Sequence, residues 1–305
     1  MPATAERLGA ALADLPVTID GATCRSALIP VPSYGGERPT SMVTVTGAGR
    51  RGRGEHVGWS EGEHARFRST VERGDLRGDW RIGDLAHALR ERGLPPYDRA
   101  AIEMAAVELA LHQRDTTLAR LAGVTPRPVT TVVSFARVPD PVREAARHPA
   151  HRLKVDVDPA WPDDVWNALA ASGRVVIYDW KGSGDAPAYE RALRWAPEVL
   201  HEDPRPPYPP GIAARRSLDA SVIEPSSIDG QHCAACNLKP SRMGSLLDAV
   251  RMAARCAERG IAIYVGGMFE IGVGRRQLRD LASVLCPQAP NDLAPIPLAE
   301  PSTTP

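Results

Sequence analysis

Lysine is nearly absent from this sequence. Of 37 basic side chains, all but Lys154, Lys181 and Lys239 are arginine. Arginine serves wherever a surface cation is wanted, yet it cannot act as a base. Lysine is a compact ammonium that can lose its proton when its surroundings lower its pKa. The three retained lysines are therefore candidates for chemistry rather than for surface charge. Long apolar runs are missing too: no stretch approaches the roughly 20 residues a membrane span needs. Met1–Leu12 carries neither a long apolar run nor a cleavage-site pattern. Net charge is also missing. The 37 basic and 37 acidic residues cancel, leaving no field to draw nucleic acid or an anionic membrane. Cysteine is scarce: Cys24, Cys233, Cys236, Cys256 and Cys286. An odd count without an export signal predicts reduced thiols rather than a disulfide framework. Cys233-Ala-Ala-Cys236, beside His232, has metal-ligand spacing, but a structural zinc site wants a second pair and none follows. Two small, partly buried thiols are expected there. These absences leave a cytoplasmic protein that works on a small molecule, with no nucleic-acid or membrane partner. Association into a homo-oligomer is open.

What is present is enough for two ordinary domains, or for one barrel with an accessory domain. Residues 1–125 mix strand and helix signals. Ser41–Thr46 reads as a strand, Gly47–Gly54 as a turn rich in glycine and arginine, and Glu55–Trp59 as a second strand. Helical patterns follow at Glu61–Glu72, Ile82–Arg92 and Asp98–Gln113, the last with Asp98 as N-cap, and a short one at Thr116–Ala122. That is an α+β unit. After Pro126 the texture changes to short β-branched runs: Val129–Val133, Arg152–Val157, Arg174–Asp179, Val199–Asp203, Arg216–Ala220, Cys236–Lys239 and Ile261–Val265. Helices separate several of them, the clearest at Ser245–Arg259. Alternation of this kind indicates a parallel sheet, and seven strands in one run point to a closed barrel over residues 126–286. The barrel is lean, with about 160 residues against the ~250 usual for the class. The link from Asp203 to Arg215 is too rich in proline for a crossover helix. Residues 287–305, rich in Pro, Ala and Thr, read as a loosely held tail.

Asp179, Glu202 and Asp219 close three consecutive strands. Neighbouring strand ends in a parallel barrel lie side by side, so these carboxylates form an all-oxygen site for a hard cation, Mg²⁺ or Mn²⁺. Left unpaired they would repel one another, and a divalent cation removes the conflict. Lysines flank the triplet. Lys154 shares a strand face with Asp156, and Lys239 shares one with Asn237. An amine beside a cation suits removal of a weakly acidic proton next to a carboxylate: the cation stabilises the enolate while the amine takes the proton. Lys181, two residues past Asp179, is placed to pair with a ligand carboxylate.

The segments Leu153–Asp156, Ile177–Asp179, Leu200–Pro204, Ser217–Asp219, Asn237–Gly244 and Gly266–Arg275, taken in order, resemble the enolase superfamily. The likeness is to its muconate-lactonizing branch, which includes o-succinylbenzoate synthases and dipeptide epimerases. Ala101–Ala110 looks like the helix that joins that family's capping domain to its barrel. The resemblance covers roughly Ser41 to Ala282. It implies an α/β fold, a modified TIM (β/α) barrel short of helices under an N-terminal α+β capping domain. It also implies Mg²⁺ held by Asp179, Glu202 and Asp219, and acid/base chemistry by lysine. The pattern departs at one place. The family's second strand carries Lys-x-Lys with the second lysine as base; here Lys154 remains and Asp156 stands in the base position. The segment Pro30–Pro39, with Tyr34, resembles the family's specificity loop. Asn237, Gly267 and Met268 would line the substrate pocket. Glu270 would line it too, or cap a strand.

The resulting expectation is a Mg²⁺-dependent lyase acting on a small carboxylate, similar to o-succinylbenzoate synthase. Lys239 would be base or cation. Lys154 would hold Asp156 or substrate, and Asp156, if free, would be the acid. A racemase or epimerase with Asp156 as partner base is the alternative, and a non-catalytic relative that binds a metal or small acid is another.

Overall fold

The computed structural model describes residues 2–31 and 36–293. Its N-terminal part opens with α1 (Pro2–Ala13) and β1 (Pro16–Ile19), followed by β2 (Gly21–Val31), β3 (Gly36–Gly47) and β4 (Arg50–His56). Next come α2 (Glu61–Arg73), β5 (Gly78–Arg81), α3 (Ile82–Glu91), α4 (Pro96–Gln113) and α5 (Leu118–Ala122). β2, β3 and β4 form an antiparallel meander, and β1 pairs with β5. β4 covers most of the stretch read from sequence as a turn. Its glycines serve packing instead: a Cβ on Gly54 would lie 1.9 Å from the Ala101 carbonyl, and one on Gly52 would lie 2.2 Å from that of Ala105. Only glycine lets α4 press so closely on the strand.

α4 is buried on nearly every side, from Ala100 to Ala110. Proline at its first position starts it two residues before Asp98, so Asp98 is not the N-cap. Asp98 is wholly buried, 2.9 Å from Nε2 of His56. Further along, the buried Glu103 accepts from the Leu247 amide at 2.8 Å. Burial pushes its carboxyl up to about 7, above the ordinary 4.5. Folded protein therefore keeps a proton that the unfolded chain has released. Stability from this group is fully present below pH 4.5, falls through the window up to about pH 7, and is flat above it. Glu103→Gln keeps the acceptor and removes the titration. It is expected to erase a loss of roughly 3 kcal/mol in denaturation free energy between acid and alkaline pH. Parallel pH profiles for the two proteins would refute this.

The barrel strands are β6 (Val132–Phe135), β7 (Arg152–Asp156), β8 (Val175–Asp179), β9 (Leu200–Glu202), β10 (Arg216–Leu218), β11 (Ala235–Leu238) and β12 (Ala262–Val265). They pair in parallel in chain order. Around them lie α6 (Pro141–Ala146), α7 (Asp163–Ala171), α8 (Ala186–Trp195), α9 (Pro210–Ala214), α10 (Pro240–Met243), α11 (Leu246–Glu258) and α12 (Val273–Leu285). The proline-rich link holds only the five-residue α9, and β10 reaches β11 through a 3₁₀ turn at Pro225–Ile228. This is a modified β/α barrel short of helices, under an N-terminal α+β cap.

The segment after α12 departs from its expected looseness. Asn291 bridges in parallel to Thr131 and Asp292 to Gly266, so the chain runs between β12 and β6 where an eighth strand would close the barrel. Asn291 is wholly buried, and its side-chain amide donates to the carbonyls of Thr130, Cys286 and Ala289. A buried amide with every donor used fixes the segment as firmly as a ladder would. The rest of the predicted tail, 294–305, lies outside the described residues.

Candidate active site

Parallel register assembles the site. Asp156 is level with Asp179, Asp179 with Glu202, and Glu202 with Ser217; Asp219 lies two residues beyond Ser217. The carboxylates that end β8, β9 and follow β10 thus face one another at the C-terminal mouth of the barrel. Asp179, Glu202 and Asp219 are buried, with one oxygen of each within 4.8 Å of the others. They are the one group among the described residues with the donors and spacing to hold a metal ion. The donor set is all carboxylate oxygen, which fits a hard divalent cation. A polar atom nearby adds to the fit: the side-chain oxygen of Asn237, whose amide donates to Glu202 at 3.4 Å, is buried without a partner.

All three lysines converge here. Lys154 is 1% exposed; its Nζ touches Glu202 and lies 3.1 Å from Asp179 and 3.0 Å from Asp292. It does not hold Asp156, the first of the two roles the sequence suggested for it. The register between β7 and β8 shifts at Leu153 and Lys154, where β8 carries the extra residue, Val176. Asp156 pairs instead with Lys181, at 3.4 Å, and Lys181 also touches Asp179. Lys181 has φ +51°, a left-handed conformation uncommon outside glycine, and from that turn its amine meets both carboxylates. Lys239, at the end of β11, lies 2.8 Å from Oδ2 of Asp219, whose other oxygen takes Nη1 of Arg242.

The charges set the proton affinities. Burial opposes ionisation of Asp179, but the Lys154 and Lys181 ammonium groups outweigh it and hold the carboxyl down to about 2. Asp219 is also held well below the usual range, burial being overcome by Lys239, Lys154 and Arg242. Glu202 goes the other way: burial lifts it to about 8, with Lys154 opposing and Asp179 and Asp219 adding to the rise. Burial opposes the charge on Lys154, yet Asp292, Glu202 and Asp179 raise its pKa well above the ordinary value. Its ammonium group is the counter-charge that Asp179, Glu202 and Asp292 share.

The remaining pocket candidates divide. Gly266 leaves the room that Asn237 and Lys239 fill, since a Cβ there would be 2.2 Å from Oδ1 of the former and 2.9 Å from Cε of the latter. Gly267 spends its amide on the Asp292 carbonyl at 3.1 Å. Met268 is buried, its sulfur 3.5 Å from Nη2 of Arg242. Glu270 ties the loop together, accepting from Ser241 and from the Met268 amide, each at 2.6 Å. It behaves as a loop anchor rather than as an open pocket wall. Tyr34 lies outside the described residues. Several contributors had no assigned role in the sequence. Arg242 stands inside a motif that was singled out, Tyr264 faces inward from β12 to Glu202 and Ser217, and Asp292 was placed in the tail. The alternation along β12 could have found Tyr264.

Comparison with known proteins follows the same outline. The family described as domain of unknown function DUF8230 matches the chain in two parts, its N-terminal domain over residues 10–121 and its C-terminal domain over 125–299. An o-succinylbenzoate synthase of Geobacillus kaustophilus is 27% identical over 202 residues, 58% of this chain and 53% of that protein. The match thus spans about half the length of that relative. A dipeptide epimerase from Methylococcus capsulatus, solved with Mg and the dipeptide L-Arg-D-Lys, has the same fold: TM-score 0.80 at 24% identity, covering 93% of this chain and 92% of that one. A member of the enolase superfamily from Listeria innocua has a TM-score of 0.75 at 18% identity, covering 91% and 86%.

Proposed function

We propose that this chain, which belongs to the family described as domain of unknown function DUF8230, is a Mg²⁺-dependent lyase of the enolase superfamily that removes the proton next to a substrate carboxylate. Loss of water from the neighbouring carbon follows, as in o-succinylbenzoate synthesis. The observation that carries this reading is the sheltered amine of Lys239 against the three-carboxylate cradle. Asp179, Glu202 and Asp219 would hold Mg²⁺, or Mn²⁺ with the same ligand preference; when bound, the cation stabilises negative charge developing on the substrate carboxylate. Lys239 takes the proton as the C–H bond breaks. The C–O bond to the hydroxyl then breaks, and the leaving oxygen departs as water with a proton from the opposite side of the site. Arg242 keeps Asp219 compensated, so Lys239 can swing toward substrate without stranding a buried charge.

One observation favours a second reading. β8, β9 and β10 carry the cradle; Lys239 flanks it from β11, and Lys181 with Asp156 from the β7–β8 side. The side that lacks the family's usual lysine therefore still has an amine, delivered from the next strand's loop. Its side chain is 49% exposed, free to follow a substrate. An acid on that side serves dehydration, and a base there would serve epimerisation.

The test is α-proton exchange in D₂O with Mg²⁺ over a panel of carboxylic acids, hydroxy acids and dipeptides, followed by mass spectrometry and chiral separation. The expected result is Mg²⁺-dependent deuterium uptake together with a product lighter by one water. Deuterated substrate of inverted configuration with no eliminated product would establish the epimerase instead. No uptake on any member, with Mg²⁺ binding confirmed by calorimetry, would overturn both.

A further inference from the structure

Away from the cradle, the Cys233-Ala-Ala-Cys236 motif brings two thiols together. Their sulfurs are 3.9 Å apart. Cys233 is partly exposed and precedes β11; Cys236 is wholly buried on that strand. Because β11 runs from Ala235 toward Lys239, the pair lies at the end of the barrel opposite the carboxylates. The two differ in access: Cys233 is half-buried while Cys236 is sealed in the core beside it, the asymmetry that stepwise thiol–disulfide exchange requires.

The surroundings favour a thiolate at the outer position. Arg216 and Arg259 converge on the loop just before Cys233, donating to the side-chain and main-chain oxygens of Gln231 at 2.7 and 3.0 Å. The Cys236 thiol, through its hydrogen bond, lowers the Cys233 pKa to about 7; burial opposes this, and the two guanidinium charges add to it. Cys236 is shifted upward, by its contacts with Cys233 and Cys256 and by burial. A reactive outer thiol and an inert inner one are the division of labour of a dithiol exchange site.

We propose that Cys233 and Cys236 are a redox modification site that closes reversibly into a disulfide by exchange with a small-molecule disulfide. The Cys233 thiolate attacks one sulfur of the small disulfide, forming a mixed disulfide and releasing one thiolate. Cys236 then attacks the Cys233 sulfur; its proton passes to the second departing thiolate. Two electrons move from the protein dithiol to the small disulfide, which leaves as one thiolate and one thiol. Closing the bridge brings the sulfurs from 3.9 Å to about 2.0 Å.

The experiment uses the full chain with oxidised glutathione, quenched with iodoacetamide and digested for mass spectrometry. The expected result is a peptide containing both cysteines that has lost two hydrogen masses and resists alkylation, restored by dithiothreitol. Cys236→Ser should stop at a glutathione adduct on Cys233, and Cys233→Ser should leave Cys236 unmodified. Cys256→Ser should still form the bridge. Full alkylation of Cys233 and Cys236 after the incubation would overturn the proposal, as would a bridge from Cys236 to Cys256. None of these readouts depends on the catalytic assignment.

Discussion

Lys239→Ala is expected to lower α-proton exchange and turnover by about 10²–10⁴-fold, the range that a positioned acid or base contributes, while the protein stays folded. The amine is 8% exposed and ion-paired to a buried carboxylate. Deleting such a partner usually destabilises, because a lone buried charge remains. Here Arg242 still binds the other oxygen of Asp219, so the carboxylate keeps a cation and the melting temperature should move little. The companion variant is Lys239→Arg. It preserves positive charge and a donor to Asp219, but a guanidinium does not give up its proton in proteins. If Lys239 is the base, the arginine variant is as inactive as the alanine one. If arginine restores turnover, Lys239 acts only as a cation against the developing charge, and the proton leaves to another group.

Much of this site was legible in the sequence because strand ends and register are local facts. Short β-branched runs mark where each strand stops, and parallel pairing brings successive stops together, so Asp179, Glu202 and Asp219 could be named as a group without coordinates. Scarcity of lysine pointed to the remaining charges for a different reason: a residue type rarely used for surface charge shows where it is needed. What the sequence concealed depends on backbone detail. The partner of Asp156 was missed because the left-handed turn that brings Lys181 to it leaves no periodic trace. Asp292 looked like part of a tail because proline-rich composition describes propensity, and Asn291 overrides propensity with buried hydrogen bonds. β4 looked like a turn because glycine signals flexibility and close packing alike, and α4 lies on the far side of it.

Lys154→Met is expected to make stability depend on metal. In the wild-type cradle this ammonium group is shared by Asp179, Glu202 and Asp292, all within 3.1 Å of Nζ, and it is 1% exposed. Methionine fills the volume of the side chain but removes the charge, leaving Asp179 with Lys181 and Glu202 with only hydrogen-bond donors, Tyr264 and Asn237. Removing one member of a buried ionic group costs about 3–5 kcal/mol, and that loss should appear in full when the variant is denatured in EDTA. A divalent cation restores positive charge to the same oxygens. It also binds only the folded chain, adding about 2.7 kcal/mol at a hundredfold excess over its Kd. The two proteins should therefore differ widely in EDTA and much less in saturating Mg²⁺, with the variant gaining more from the metal than the wild type does. An equal deficit with and without Mg²⁺ would separate the lysine from the cation and remove the basis for treating Asp179 and Glu202 as ligands. A deficit that narrows with Mg²⁺ but not with Ca²⁺ would add selectivity: three carboxylates drawn this close suit the smaller, stricter octahedral ion.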